Sequence, residues 1–326
     1  MVRPGPRAWL LAPLAVIASG CEHASPAPAE SGTSWRVPAP AGLAGSPQFT
    51  VVAAEPDPAI VVDPAARSRI AATGQAWKIR HEASGIVLLL VPPGEFMMGS
   101  PEAEPLRDDD EPRHRRVLGR AFYLSQTEVT QAQWDRIMGA RPSAGAVSGD
   151  HPVGQVHWHD CQDFLAKAGG GLRLPTEGEW EYACRAGTHD AYAGALAELA
   201  WFADNSGDRP VDAQALWDSM PDRAEYARRI MEAGCRPHPV AQKAPNAWGF
   251  FDMHGNAAEW VEDAHAGYPA DGGSEAFADA SPDGKRVLRG GGWKSLAANC
   301  RAASRSASLP GAAREVYGLR VARSAG

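Results

Sequence analysis

Residues 238–263 read HPVAQKAPNAWGFFDMHGNAAEWVED. At their centre, Asp252-Met253-His254-Gly255-Asn256-Ala257-Ala258-Glu259 places a Gly-Asn turn between two carboxylates. Calcium takes roughly six to eight oxygens and mixes carboxylates with backbone carbonyls. Asp252 and Glu259 can supply the first while the bend turns carbonyls inward. The segment lacks the regular alternation of an EF-hand loop, so a plain Gly-Asn turn leading into a strand explains the same residues more simply. His254, beside that turn, reads as a turn residue and not as a general base.

Outward from this segment the chain alternates short apolar runs with capped helices. Upstream, Pro175-Thr176-Glu177 opens a helix in which Thr176 precedes Glu179 at capping-box spacing. Thr130 can cap a helix over QAQWDRIM, with Trp134, Ile137 and Met138 at helical spacing. Val156–Ala168 forms another amphipathic helix, stopped by Gly169-Gly170-Gly171. His157 and His159 within it point to different sides, which suits surface or hydrogen-bonding roles better than a shared metal. IVLLLV at 86–91 predicts a buried strand closed by Pro92-Pro93-Gly94, and a second short strand follows at 95–99. Arg107–Arg116 (RDDDEPRHRR) reads as a solvated loop. Residues 209–234 form an inserted helical excursion, and short strands and loops follow Lys285. Residues 48–84, with apolar patches at 51 and 60 separated by Pro56 and Pro58 and closed by Pro64, read as a lead-in of short strands.

The N-terminus is of another kind. Arg3 and Arg7 precede an apolar stretch, Ala8–Ala18, too short to span a bilayer. It ends in Ala18-Ser19-Gly20-Cys21, which resembles a bacterial lipobox. Residues 1–20 are therefore expected to be a lipoprotein signal peptide, Cys21 the lipidated residue, and 21–47, rich in Ala, Pro, Ser and Gly, a flexible linker. These features place the protein in the bacterial cell envelope, at the outer membrane or cell surface, held to the membrane through its lipid.

Composition bounds the remainder. The 326 residues include 34 Gly, 27 Pro and 11 Trp, with 44% apolar residues, which describes a loop-rich globular protein held by buried aromatics. The net charge of -7 and the lack of a cationic cluster exclude nucleic acid as a partner. Of five cysteines, Cys21 is assigned to lipid, leaving Cys161, Cys184, Cys235 and Cys300. No zinc-type spacing occurs, and any pairing among these four is left open by the residues themselves. Arg289-Gly290-Gly291-Gly292 opens no helix and does not form a phosphate-cradling loop.

Seven segments, in order, resemble the formylglycine-generating enzymes, or sulfatase-modifying factors: VPPGEFMMGSP from 91, EVTQAQW from 128, LRLPTEGEWEYACRAGT from 172, the stretch 238–263, RVLRGGGW from 286, NCRAASR from 299 and YGLRVARS from 317. The resemblance covers residues 85–326. It implies an α+β, C-type-lectin-like fold with little regular secondary structure. It also raises the calcium reading, with Asp252 and Glu259 as side-chain ligands and Gly255 and Ala257 as carbonyl ligands.

Enzymes of this family oxidise a substrate cysteine using copper(I) on two thiolates, a soft-ligand site. This chain departs from them. Counted from the glycine turn, Ser295 and Cys300 fall at the two cysteine positions, with Gly292 in place of the active-site serine. Counted back from Arg301, a short deletion instead brings Cys300 to a structural cysteine that pairs, by resemblance, with Cys184. Neither registration supplies two thiolates, so copper is not expected. The resemblance then implies a binding module for an unidentified protein, peptide or small molecule. Its C-terminal segment is similar to the variable region of retroelement-diversified proteins, with Lys294, Ser295, Leu296, Ser304, Ser306, Ala307, Ser308, Glu315, Val316 and Tyr317 facing the ligand. The alternative is an oxidoreductase of the formylglycine-generating type, or a periplasmic oxidation factor that works without the cysteine pair.

Overall fold

The computed structural model describes residues 47–140, 142, 149–220, 222–268, 281 and 283–326. The leader, Cys21 and nearly all of the linker lie outside the described residues. In chain order the elements are β1 (Phe49–Ala53), α1 (Pro64–Ala72), β2 (Lys78–His81), β3 (Val87–Val91), β4 (Gly94–Met98), β5 (His114–Leu118), β6 (Phe122–Ser125), α2 (Gln131–Met138), α3 (Trp158–Ala168), β7 (Leu172–Arg173), α4 (Glu177–Arg185), α5 (Leu196–Leu199), α6 (Ala213–Ser219), α7 (Arg223–Glu232), β8 (Ala258–Ala264), β9 (Arg286–Arg289), β10 (Arg305–Ser308), β11 (Tyr317–Leu319) and β12 (Ala322–Ser324). Short strands and short helices joined by long irregular segments make this an α+β protein, as the resemblance implied.

Three sheets organise the chain: β1-β2-β3-β6-β12-β7, β10-β9-β8-β11 and the hairpin β4-β5. The apolar run at 86–91 becomes β3, flanked on one side by β2 and on the other by β6. That interior position explains why its residues are apolar without alternation. β8 continues directly from the 252–259 turn, pairing with β9 antiparallel and with β11 parallel.

The helix starts follow from their caps. Thr130 and Gln133 form a reciprocal capping box on α2, and Thr176 and Glu179 form one on α4. His157 caps α3, accepting from the Asp160 N–H at 2.9 Å, which is the hydrogen-bonding role expected of it. Trp134 of α2 stacks on Phe164 of α3, ring centroids 5.0 Å apart. Every residue of α4 is buried, so this helix is the axis around which the sheets pack.

Three expectations are corrected. The lead-in does contain short strands, but β1 and β2 belong to the main sheet, so a boundary at 85 would cut that sheet beside β3. Pro64, expected only to close an apolar patch, is the first residue of α1, where its missing N–H costs nothing. The charge run 107–116 is not a wholly solvated loop. Its end enters β5, Arg116 is buried, and Glu111 is fully buried against Arg301 at 2.7 Å.

Candidate functional site

The 252–259 turn is held by unusual backbone and by buried charge. Asp252 and Asn256 adopt φ of 57° and 63°. Gly255 has φ +149°, and a Cβ there would lie 2.3 Å from the carbonyl oxygen of Trp201, so no other residue fits without movement. Glu128, from the segment before α2, accepts from the Ala257 N–H at 2.6 Å and from Asn256 Nδ2 at 2.8 Å, tying the turn to the main sheet. Glu259 and Arg320 are both fully buried, and Arg320 Nη2 lies 2.9 Å from Glu259 Oε1. Trp180 Nε1 donates to Glu259 Oε2 at 2.6 Å.

Of the three carboxylates here Arg320 hydrogen-bonds Glu259, and its charge also acts on Glu128 and Asp252. Burial foremost, then the neighbouring carboxylates, holds Glu128 well above the usual carboxylate range. Burial likewise pushes Asp252 up to about 6. Among the described residues no cluster of three His, Cys, Asp or Glu side chains is arranged to hold a metal. The four expected calcium ligands fit the ion unevenly. Asp252 Oδ2 accepts from the Ala241 N–H at 2.8 Å while its Oδ1 is buried without a partner, the atom a cation would satisfy. Both Glu259 oxygens already accept from Arg320 or Trp180, so Glu259 is not free as arranged.

The cysteines depart from the pairing that the resemblance implied. Cys161, Cys184, Cys235 and Cys300 are all free and buried, so the Cys184–Cys300 bridge is absent. The imidazole of His254 takes up the space instead. Cys184 Sγ lies 3.6 Å from His254 Nε2, and His254 Nδ1 donates to the Cys300 carbonyl at 2.8 Å. Cys300 sits under the glycine turn, where a Cβ on Gly291 would come within 2.8 Å of its sulfur. Burial pushes both thiols far above their ordinary value. Ser295 is committed to the same turn, its Oγ accepting from the Gly292 N–H at 2.9 Å. Gly292 itself is close-packed, with a Cβ there 3.0 Å from that of Val316.

A cleft of about 250 Å³ opens beside this turn, lined by Val153, Met231, Cys235, Arg236, Trp293 and Glu315, among others. Met231 is half exposed at the end of α7, so the 209–234 excursion supplies one wall. Trp293 is buried and its Nε1 has no acceptor. Of the residues expected to face a ligand, only Glu315 lines this cleft, and Lys294 pairs with it at 3.1 Å. Ser306 and Ser308 lie on the edge strand β10, with Ala307 between them. Ser304 and Val316 are buried, so neither faces a ligand. Leu296 and Tyr317 pack against the small core around Trp293 and Tyr226. Most of the cleft comes from the segments 152–155 and 231–237, where no periodicity or motif marked it.

The chain matches the family described as sulfatase-modifying factor enzyme 1-like domain over residues 78–325. It is 31% identical to the formylglycine-generating enzyme of Streptomyces coelicolor over 205 residues, covering 60% of this chain and 60% of that one. Identity to the chaperone protein LppX of Paenibacillus barcinonensis is 26% over 216 residues, 53% of this chain and 70% of that one. The chain spans only 38% of a Chlamydia pneumoniae serine/threonine-protein kinase, pkn1, that it also matches. Among solved structures its fold is shared with PvdO from Pseudomonas aeruginosa (TM-score 0.57, 24% identity, 74% of this chain and 95% of that one). It is shared also with Treponema denticola variable protein 1 (TM-score 0.55, 24% identity, 73% and 95%).

Proposed function

The chain belongs to the sulfatase-modifying factor family, and from that membership we propose a non-catalytic, envelope-tethered binding module that seats its ligand in the cleft beside Trp293. The observation that carries this reading is the fate of the two copper positions. Ser295 offers a neutral hydroxyl already used by the Gly292 N–H, and Cys300 is buried beneath Gly291. A hard hydroxyl does not replace a thiolate on copper(I), which leaves Cys300 as a single soft donor where the copper chemistry needs two. The ligand is a protein, peptide or small molecule, and the cleft's mixture of Trp293, Met231, Arg236 and Glu315 suits a mainly apolar group with polar ends.

Calcium belongs to this reading as a structural ion, with Asp252 as its side-chain ligand and the Gly255 and Ala257 carbonyls beside it. It would supply charge compensation among the carboxylates and no reaction chemistry. The tether is a lipid on Cys21. Cys21→Ser should move the protein from the membrane fraction to the soluble fraction, and unchanged membrane retention would count against the anchor.

The function test uses copper(I) delivered from a chelator, with oxygen and a cysteine-containing sulfatase peptide. The expected result is no copper taken from the chelator and an unaltered peptide thiol. Appearance of a peptide aldehyde would refute the binding-module reading and restore the formylglycine-generating one.

A further inference from the structure

The cleft beside Trp293 carries two sulfur-bearing residues on one wall, Met231 near the end of α7 and Cys235 just after it. Their access to solvent is opposite. Met231 is 51% exposed, whereas Cys235 is 2% exposed. Cys235 Sγ also donates to the Ala203 carbonyl at 3.4 Å, and burial pushes its thiol above the ordinary value. A two-electron oxidant attacks a cysteine through its thiolate, which burial suppresses here. A thioether needs no deprotonation, so for methionine access alone decides.

The exposure of Met231 follows from the phase of the helix. Tyr226 and Ile230, four apart on α7, are buried in the small core around Trp293. Met231 stands about 100° round the axis from Ile230, clear of that core. Of the other described methionines, Met98 and Met253 are buried, and Met97, Met138 and Met220 are partly buried. The most open thioether among the described residues therefore stands at the ligand cleft.

We propose that Met231 is an oxidation site that regulates this cleft: hydrogen peroxide converts its thioether to the sulfoxide and so weakens ligand binding. The inference rests on the cleft being the ligand seat. In the reaction a sulfur lone pair attacks one peroxide oxygen and the O–O bond breaks. The sulfur gives up two electrons and keeps that oxygen, while the other oxygen takes up the protons and leaves as water. The product puts a polar group where a flexible apolar side chain stood. A mainly apolar ligand then strips water from the sulfoxide oxygen without replacing the hydrogen bond, and affinity falls. Met231 belongs to no buried core, so the fold survives the change.

The experiment uses the full-length Cys21→Ser chain, so that no lipid takes up a probe. Peptide mapping by mass after limited peroxide treatment reads the site, and titration with the neutral apolar dye N-phenyl-1-naphthylamine reads the cleft. The first oxygen should appear on Met231, and the oxidised protein should bind the dye about fivefold or more weakly. Methionine sulfoxide reductases of both epimer classes should restore the affinity. Met231→Leu should bind the dye as the untreated protein does and keep that affinity after peroxide. Met231→Gln, polar from the start, should bind as weakly as the oxidised protein. A first oxygen on Cys235 or on another methionine overturns the proposal, as does undiminished affinity in the Met231 sulfoxide or in Met231→Gln. Failure of the untreated protein to bind the dye at all counts against the cleft as a ligand seat, and the regulation falls with it.

Discussion

His254 makes a measurable claim about pH. Its imidazole is buried, Nδ1 donating to the Cys300 carbonyl and Nε2 accepting from the Ala193 N–H at 3.1 Å. A second proton on Nε2 would point at that N–H in a buried site. Burial, assisted by Arg185, lowers the pKa from 6.5 to about 4. The folded state therefore refuses a proton that the unfolded chain accepts. This contribution to stability is whole above pH 6.5 and is lost as pH falls from there towards 4. The full shift is worth about 3 kcal/mol, of which roughly 2 kcal/mol has gone by pH 5. Burial raises Asp252 to about 6 and Asp263 to about 7, so both oppose the effect, with stability lost as pH rises through the acid range. Both carboxylates are present in a His254→Gln variant too and cancel in the difference. Urea unfolding of the two proteins between pH 7.5 and 5 should thus show the wild-type advantage shrinking by roughly 2 kcal/mol. A difference that stays constant over this range would show that His254 is not the buried neutral imidazole described.

Arg320→Met leaves Glu259 buried without its guanidinium and should cost about 3–5 kcal/mol in urea unfolding; a loss under about 1 kcal/mol would mean the pair contributes as an exposed one does. Thiol titration of the mature protein should find Cys161, Cys184, Cys235 and Cys300 unreactive when folded and all alkylatable in denaturant without reductant, whereas a Cys184–Cys300 bridge would hide two of them. Ser295→Cys should gain no tight copper(I) binding in a chelator competition, since Cys300 stays beneath Gly291; tight one-to-one binding would show that the two positions can converge. Calcium should raise the melting temperature of the wild type and not that of Asp252→Asn, and equal melting with calcium or chelator in the wild type would remove the ion from this site.

The local parts of the fold were legible because their causes are local. The capping boxes at Thr130 and Thr176 and the apolar run of β3 each fit within about one turn or strand of sequence. α1 was not legible, since it buries only Ala66 and Ile70 and carries no apolar stripe to announce a helix. The role of 107–116 was hidden for another reason: what keeps Glu111 from solvent is Arg301, 190 positions away. The Trp293 cleft is scattered in the same way, since Gln131, Gln155, Met231 and Glu315 meet only once the sheets have formed. Family order brought Cys184 and Cys300 to the same neighbourhood, but it could not show that His254 would contact both in place of a bond.

The place of Cys300 in the fold is set by arginines. Arg301 must reach Glu104 and Glu111, each at 2.7 Å, and Arg305 must reach Glu177, also at 2.7 Å. These guanidiniums are nearly fully buried, and sliding the segment would leave buried carboxylates unanswered, which costs several kcal/mol per group. The segment is therefore fixed from its Arg301 side, and Cys300, one residue before it, is drawn under Gly291 beside His254. From the other side the Gly292–Ser295 turn is fixed by its own hydrogen bond. Only Leu296–Asn299 join the two anchors, as a single tight turn with Leu296 packed inward. The two anchors therefore fix the places of Ser295 and Cys300, with four residues between them.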